Sequence, residues 1–141
     1  MKGDRFGIPV EAAYVEAVGR AAYIFARMEW DVAWCCERMR RNYLNTLKKK
    51  TAGIIANDFL ALSNRRPLTI KADCVFAAKE FKRLVLVRNR LLHAKPSTAP
   101  GGEQQLAHDG KHWTIAMIDD AADEFAAGAK LVNALLYNQL K

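Results

Sequence analysis

Two side chains in the second half of the chain combine a fixed positive charge with a group that can move protons. Arg88 carries the charge, and His93, five positions later, can gain or lose a proton near neutral pH. Such a pair suits chemistry on a phosphodiester, where one group transfers protons and another stabilises negative charge. The spacing alone is weakly specific, because the chain has many arginines and three histidines.

A helix is predicted for residues 70–94, with Arg88 and His93 near its end. We expect Thr69 to cap its start and Pro96 to stop it. Its apolar stripe comprises Ala77, Phe81, Leu84 and Leu92. At about 100° per residue, Arg88 falls in the middle of this stripe, where a charge is costly unless something compensates it. Arg88 must therefore reach a partner acid, a cleft or an interface.

His93 lies on a different side of this helix from Arg88. Asn89 is its neighbour one turn earlier, and this side of the helix borders a basic face. The cations of that face are Lys79, Lys82, Arg83 and Arg90. On an ideal helix Arg88 and His93 are about 140° apart. They reach one phosphate only if the helix tightens near Pro96 or if a second copy of the chain supplies one of them, which favours a homodimer.

The hydrophobic periodicity predicts an all-α fold, an up-and-down bundle of four main helices with a loop and a small β-hairpin before the last helix. The other helices are expected at about 10–41, at about 51–63, and from a cap at Asp119 or Asp120 to about 139. The stripe of the first comprises Tyr14, Val18, Ala21, Phe25, Met28, Val32, Cys35 and Met39. The stripe of the last comprises Phe125, Ala129, Val132, Leu136 and Leu140, with acids in the first turn.

The remaining segments are interpreted as a tail at 1–8 and a loop and hairpin insertion at 96–117. Residues 96–105 offer no core residue and predict a mobile loop. The Asp-Gly pair at 109–110 predicts the hairpin turn, with a strand at 113–115. On the first helix, three aromatic residues lie off the apolar stripe: Tyr23, Trp30 and Trp34. We interpret the two tryptophans as packing or dimer residues, with base stacking as the alternative.

Composition narrows the class of protein. The net charge is +7, and residues 1–95 carry 19 Lys and Arg against 9 Asp and Glu, which favours a nucleic-acid partner or a solvated basic surface. No apolar run approaches the roughly 18 residues of a membrane span, and no secretory signal is visible. Three cysteines, two of them adjacent, predict core fillers in a reducing cytoplasm. We expect no cofactor and no metal, because His108, Asp109 and His112 make only a weak ligand set.

Arg88 and Asn89, followed after three residues by His93 near the end of the third helix, resemble the Arg-x4–6-His motif of HEPN domains. In that family a polar residue, often Asn, commonly follows the arginine. The resemblance covers residues 10–139 and makes residues 1–141 a single HEPN-like helical domain. It implies a metal-independent endoribonuclease that works as a homodimer, with two motifs meeting at the subunit interface.

The same resemblance implies roles for these residues. The 2′-OH of RNA would attack the adjacent phosphorus and leave a 2′,3′-cyclic phosphate and a 5′-OH end, with His93 as general base or acid. Arg88 would stabilise the phosphorane, and Asn89 would orient His93 or a phosphate oxygen. The RNA backbone would be held by Lys79, Lys82, Arg83 and Arg90. Many such proteins resemble toxins or phage-defence effectors, so an antitoxin or other neutralising protein is a candidate partner.

Other interpretations remain open. Arg88 is alternatively a structural arginine paired with Glu29 or Asp31 of the first helix, and His93 is alternatively a helix cap without chemistry. Lys48–Lys50 is interpreted as a solvated turn rather than an RNA contact. For the whole chain, the alternative is a non-catalytic HEPN-type module that binds RNA, a nucleotide or a partner protein, or else an unrelated helical regulator.

Overall fold

The long apolar stripe at the start of the chain forms one face of helix α1, Ala12–Met39. In the computed structural model, which describes residues 6–141, six of the eight stripe residues are buried, and Val18 and Met39 are half-buried. The stripe prediction is confirmed, because side chains at steps of three and four share one side of a helix. Residues 1–5 of the predicted tail lie outside the described residues.

Three further α-helices follow, and the all-α class with a small hairpin before the last helix is confirmed. A short 3-10 helix, Tyr43–Lys49, leads from α1 into α2, Ala52–Ser63. Helix α3 spans Leu68–Leu92, and helix α4 spans Ile115–Tyr137. No helix within residues 6–141 combines the length and the apolar character needed to cross a membrane.

The centre of the core holds one phenylalanine from each helix. Phe25 of α1 stacks on Phe81 of α3 with ring centroids 5.9 Å apart, and it meets the edge of Phe125 of α4 at 5.2 Å. Phe59 of α2 meets the edge of Phe81 at 6.4 Å. Aromatic pairs of this geometry stabilise a core beyond the area that they bury. Helices α1 and α3 therefore face each other across the core.

Contacts along the helices fix their directions. Asp31 near the end of α1 accepts a hydrogen bond from Asn133 near the end of α4, and Tyr14 at the start of α1 meets Trp113 just before α4. These two helices therefore run in the same direction. Helix α3 runs antiparallel to α4, because Asp73 near the start of α3 accepts a hydrogen bond from Gln139 just after the end of α4, and Arg83 pairs with Glu124 near the middle of both helices. The alternation of directions expected of an up-and-down bundle thus holds between α3 and α4 but not between α1 and α4.

A three-stranded antiparallel sheet fills the chain between α3 and α4. Its strands are β1, Lys95–Thr98, β2, Gln104–His108, and β3, Lys111–His112, in that order across the sheet. The predicted turn at 109–110 is confirmed, and both of its residues have positive φ, 51° and 76°, as a two-residue hairpin turn requires. The hydroxyl of Tyr14 donates to the carbonyl of Trp113 at 2.6 Å and accepts from the N–H of Leu106 at 2.8 Å, which attaches the sheet to α1.

Several local predictions are wrong. Residues 96–105 are not a loop without core residues, because they contribute to β1 and β2 and Ala99 between these strands is buried. The strand predicted at 113–115 is absent, since Thr114 instead caps α4 by accepting a hydrogen bond from the N–H of Met117. Helix α4 therefore begins before Asp119 and Asp120, and its first turn holds no acid.

The predicted cap of α3 is also wrong. Thr69 lies inside the helix, because Pro67 occupies the cap position and makes no side-chain capping bond. Proline is favoured at helix starts since the first N–H groups have no partner within the helix. The predicted end is close to the observed one, with Leu92 as the last helical residue.

Candidate functional site

Arg88 continues the buried stripe of α3, as the periodicity predicts. The buried members of that stripe are Cys74, Ala77, Phe81, Leu84 and Leu91, whereas Leu92, which was predicted to belong to it, is exposed. The Arg88 side chain is half-buried, and its Cζ atom lies 5.2 Å from the ring centroid of Phe25 in α1. This distance is within the range of a cation–π interaction. The Nε atom of Arg88 is buried and has no hydrogen-bond partner.

The acids near Arg88 do not neutralise it at close range. None of the ion pairs within residues 6–141 includes Arg88. Asp31 instead accepts a hydrogen bond from Asn133 at 3.2 Å. Burial raises the pKa of Glu29, and the positive charge of Arg88 opposes that rise from beyond ion-pair distance. The proposed structural pairing of Arg88 with either acid is therefore not observed, and the guanidinium remains available to another anion.

Asn89 contacts Arg88 rather than His93. Its Oδ1 accepts a hydrogen bond from the Nη1 of Arg88 at 3.0 Å. The sequence predicted that Asn89 would orient His93 or a phosphate oxygen, but its carbonyl oxygen is used by the guanidinium. A neutral amide fixes the position of Arg88 without cancelling its charge.

His93 is exposed at the end of α3, where it occupies the C-cap position. Its backbone N–H donates to the carbonyl of Asn89 at 2.9 Å, so the helix keeps α geometry up to His93. Only at Ala94, whose N–H donates to the carbonyl of Leu91, does the turn tighten. The expected tightening therefore comes too late to bring Arg88 and His93 onto one side of the helix. No described hydrogen bond joins their side chains.

The basic face of α3 keeps three of its four predicted cations. Lys79, Lys82 and Arg90 are exposed and form no ion pair within the described part of the chain. Arg83 instead bonds Glu80 at 2.6 Å and Glu124 of α4 at 3.0 Å. Its hydrogen bond lowers the pKa of Glu80. Arg83 thus joins α3 to α4, and its contact with RNA stays a prediction.

A second partly buried cation was missed by the sequence reasoning. Lys50 follows the 3-10 helix, and its Nζ lies 2.8 Å from Oδ2 of Asp58 in α2 and 4.1 Å from the ring centroid of Tyr43. The hydroxyl of Tyr43 donates to the same carboxylate at 2.7 Å. The sequence did not indicate this contact, because a run of lysines at 48–50 predicts a solvated turn. The only sequence signal is the placement of an acid on the next helix.

The histidines of the hairpin do not form a metal centre with their neighbours. His108 Nδ1 lies 3.6 Å from a carboxylate oxygen of Asp109. The Nδ1 of His112 is buried and has no hydrogen-bond partner. Within residues 6–141, no three His, Cys, Asp or Glu side chains lie close enough together to hold a metal ion.

Comparison of the chain with protein-family models, with curated proteins and with solved structures found no match. Its function therefore has to be inferred from its own residues. The features available are a half-buried guanidinium without a carboxylate partner, an exposed histidine at the end of the same helix, and three exposed cations beside that histidine.

Proposed function

We propose that this protein is a metal-independent endoribonuclease of the HEPN type that acts as a homodimer. The observation that carries the proposal is Arg88, a cation in a buried stripe with an unpartnered Nε and no carboxylate at ion-pair distance. A charge in such a place is costly unless an anion compensates it. The extra negative charge of a phosphorane is such an anion, and its stabilisation accelerates phosphoryl transfer.

The chemistry follows from the groups available. His93 of one copy removes the proton of the RNA 2′-OH, the bond from O2′ to phosphorus forms, and the bond from phosphorus to O5′ breaks. The departing O5′ takes a proton from a water molecule. Arg88, held by Asn89, stabilises the phosphorane oxygens. The products are a 2′,3′-cyclic phosphate and a 5′-OH end.

The homodimer is part of the proposal because one α3 helix separates Arg88 and His93 by about 140°. A two-fold interface places the Arg88 of one copy near the partner's His93, and the reverse. Lys79, Lys82 and Arg90 would then hold the phosphates that flank the cleaved bond. This support is geometric: α geometry continues to His93, so the separation is not relieved within the chain.

The biological setting is proposed on the same basis. By the same resemblance the protein would act as a toxin or a phage-defence effector, with an antitoxin or other neutralising protein as a candidate partner. The three cysteines are free and buried, which suits a reducing compartment, and we place the protein in the cytoplasm.

A second candidate function is a non-catalytic HEPN-type module that binds RNA, a nucleotide or a partner protein. It is favoured by the lack of a hydrogen bond between the side chains of Arg88 and His93.

Cleavage of total RNA by the purified protein, with and without EDTA, tests the proposal. We expect cleavage that survives EDTA and yields cyclic-phosphate ends, and we expect Arg88→Ala and His93→Ala to abolish it while circular dichroism stays unchanged. Arg65→Ala is the matched control, because it removes an exposed arginine that precedes α3 and has no role in the proposed site. Intact RNA across a range of pH, with normal RNA binding by both variants, would favour the non-catalytic module.

Mixing the two inactive variants tests the shared site. A heterodimer of Arg88→Ala and His93→Ala retains one complete site if Arg88 of one copy works with the partner's His93. Random exchange of subunits should then restore about a quarter of the wild-type rate. No recovery, or a monomer by light scattering at micromolar concentration, would remove the composite site.

A further inference from the structure

The solvent side of α1 carries a row of exposed aromatic side chains. This aromatic row consists of Tyr23, Trp30 and Trp34, whose exposed fractions are 70%, 54% and 36%. Steps of seven and four residues keep the three on one side of the helix. The rings of Trp30 and Trp34 meet edge to face with centroids 6.2 Å apart. Large aromatic groups that remain exposed together indicate a binding surface.

The aromatic row is separate from the surroundings of Arg88. Phe25 points from α1 into the core, where it meets Phe81 and Arg88 of α3. Trp30 is five residues later on the same helix, about 140° around from Phe25. The row therefore faces away from α3 and its motif. It cannot be explained as part of the candidate active site of the same copy.

Cations border the row. Arg27, Arg38 and Arg41 are exposed and form no ion pair within residues 6–141. Glu37 is the acid beside Arg41, but its carboxylate accepts the backbone N–H groups of Leu44 and Asn42, which lower its pKa. Arg27 and Arg38 have no acid at ion-pair distance within residues 6–141 and remain available to an outside anion.

A groove between α1 and α4 runs beside the row. It has a volume of about 410 Å³, and Arg27 and Lys130 are among its lining residues. Asp31 is the only acid lining it, and this carboxylate accepts a hydrogen bond from Asn133, a further lining residue. Proteins hold single-stranded nucleic acid by stacking bases on a line of aromatic side chains while cations beside the line contact the phosphates, and this groove supplies two cations, Arg27 and Lys130.

We infer that single-stranded RNA binds along α1, with bases stacked on the aromatic row and phosphates in the groove beside Arg27 and Lys130. The choice of RNA rests on the proposed ribonuclease function, whereas the surface itself fits any single-stranded nucleic acid. A second copy of the chain fits less well. An interface centred on the row would gather the unpaired arginines of two copies on one buried surface, where like charges repel. This surface holds substrate and contributes no catalytic residue.

Binding to an oligodeoxyuridine tests the surface without cleavage, because the probe lacks the 2′-OH that the proposed reaction needs. Fluorescence anisotropy should show that Trp30→Ala and Trp34→Ala each raise Kd about tenfold, since base stacking on one aromatic ring contributes about 1–3 kcal/mol. Phe76→Ala is the matched control, because it removes an aromatic side chain on α3 that is 63% exposed. An oligouridine RNA tested in the His93→Ala background should rank the variants in the same order.

Kinetics and oligomeric state complete the test. If the wild type cleaves RNA, the tryptophan variants should raise KM and leave kcat unchanged. If it does not, tryptophan-dependent binding of the deoxy probe still supports this inference while the ribonuclease proposal fails. Unchanged Kd in both tryptophan variants overturns the inference. So does a variant that is monomeric by light scattering where the wild type is a dimer, because the row would then be a protein interface.

Discussion

Two partly buried cations, Lys50 and Arg88, lie over aromatic rings in different parts of the bundle. Lys50 lies 4.1 Å from the ring centroid of Tyr43 and bonds the carboxylate of Asp58 at 2.8 Å. Arg88 lies 5.2 Å from the ring centroid of Phe25, but its hydrogen-bond acceptor is the neutral amide of Asn89. One site is complete within the chain. The other keeps a charge with no carboxylate at ion-pair distance and an unpartnered Nε.

This difference separates a structural cation from one reserved for a ligand. A buried ion pair is strongly destabilised when one partner is removed, because the other charge remains. For an unpaired cation the cost is already present in the free protein, because its desolvation lowers the stability of the fold until an anion binds. Folding alone therefore explains Lys50, whereas Arg88 is explained by a ligand that the chain does not itself supply.

The largest expected effect belongs to Arg88. In Arg88→Met the apolar stripe of α3 is continued and the charge is lost, so RNA cleavage should fall about 100- to 1000-fold, as on removal of one stabilising donor from a transition state. The melting temperature should stay the same or rise, because an unpaired charge leaves the bundle. Single-turnover cleavage and thermal denaturation are the two measurements. A melting temperature lowered by several degrees would make Arg88 structural and erase its contrast with Lys50.

Lys50→Met should show the opposite result. The carboxylate of Asp58 would keep only the hydroxyl of Tyr43 as a partner. We expect the free energy of unfolding to fall by about 1–3 kcal/mol, the usual cost of an unsatisfied polar group. Cleavage measured well below the melting temperature should be unchanged. Urea denaturation gives the first quantity, and a lost activity in a folded variant would contradict the structural role.

The sequence could indicate Arg88 but not Lys50, and the reason is physical. Arg88 interrupts an apolar stripe on a single helix, and a stripe is a local pattern with a fixed period. The environment of Lys50 depends on Asp58, which the folding of α2 brings back against the 3-10 helix. A run of three lysines is usually solvated, so only the tertiary structure distinguishes Lys50 from Lys48 and Lys49, which are exposed.

The same contrast between local patterns and tertiary contacts explains which parts of the fold were predictable. The stripes of α1 and α4 were found because they repeat over many turns. The sheet was missed beyond its hairpin turn, since the pairing of β1 with β2 joins residues across the turn that holds Ala99. The hydrogen bond between Asn89 and Arg88 was not predicted, because helical spacing places Asn89 near both Arg88 and His93. Only the hydrogen bond to Arg88 decides between them.

Asn89→Asp tests the comparison by supplying the missing acid. A carboxylate at this position would pair with Arg88 and make the site resemble the Lys50 site. We expect a melting temperature raised by a few degrees at most, since a partly exposed pair contributes about 1 kcal/mol or less. Cleavage should fall about tenfold, because the guanidinium is partly neutralised before the phosphorane forms. Asn89→Ala, which adds no charge, is the control and should affect cleavage less.

The smallest expected effect is a difference in the pH dependence of stability between the two sites. Burial of Asp58 acts to raise its pKa, but hydrogen bonds from Lys50 and Tyr43 outweigh this and hold the pKa below its usual value. A carboxyl whose pKa is lower in the folded protein contributes stability above its pKa in the unfolded chain, about 4. That stability is lost as the pH falls through its pKa in the folded protein. Asp58→Asn should therefore destabilise the protein at pH 7 and converge with the wild type in acid.

Near Arg88 the pH dependence of stability has the opposite sign. Burial raises the pKa of Glu29, so its charged form weakens the fold above the folded pKa and costs nothing below the unfolded pKa, again about 4. Glu29→Gln should therefore be more stable than the wild type at pH 7, and the two should converge as the pH falls to 4. Urea denaturation from pH 4 to pH 7 measures both variants. Destabilisation by Glu29→Gln at pH 7 would mean that Glu29 already compensates Arg88, and the two cations would then be alike.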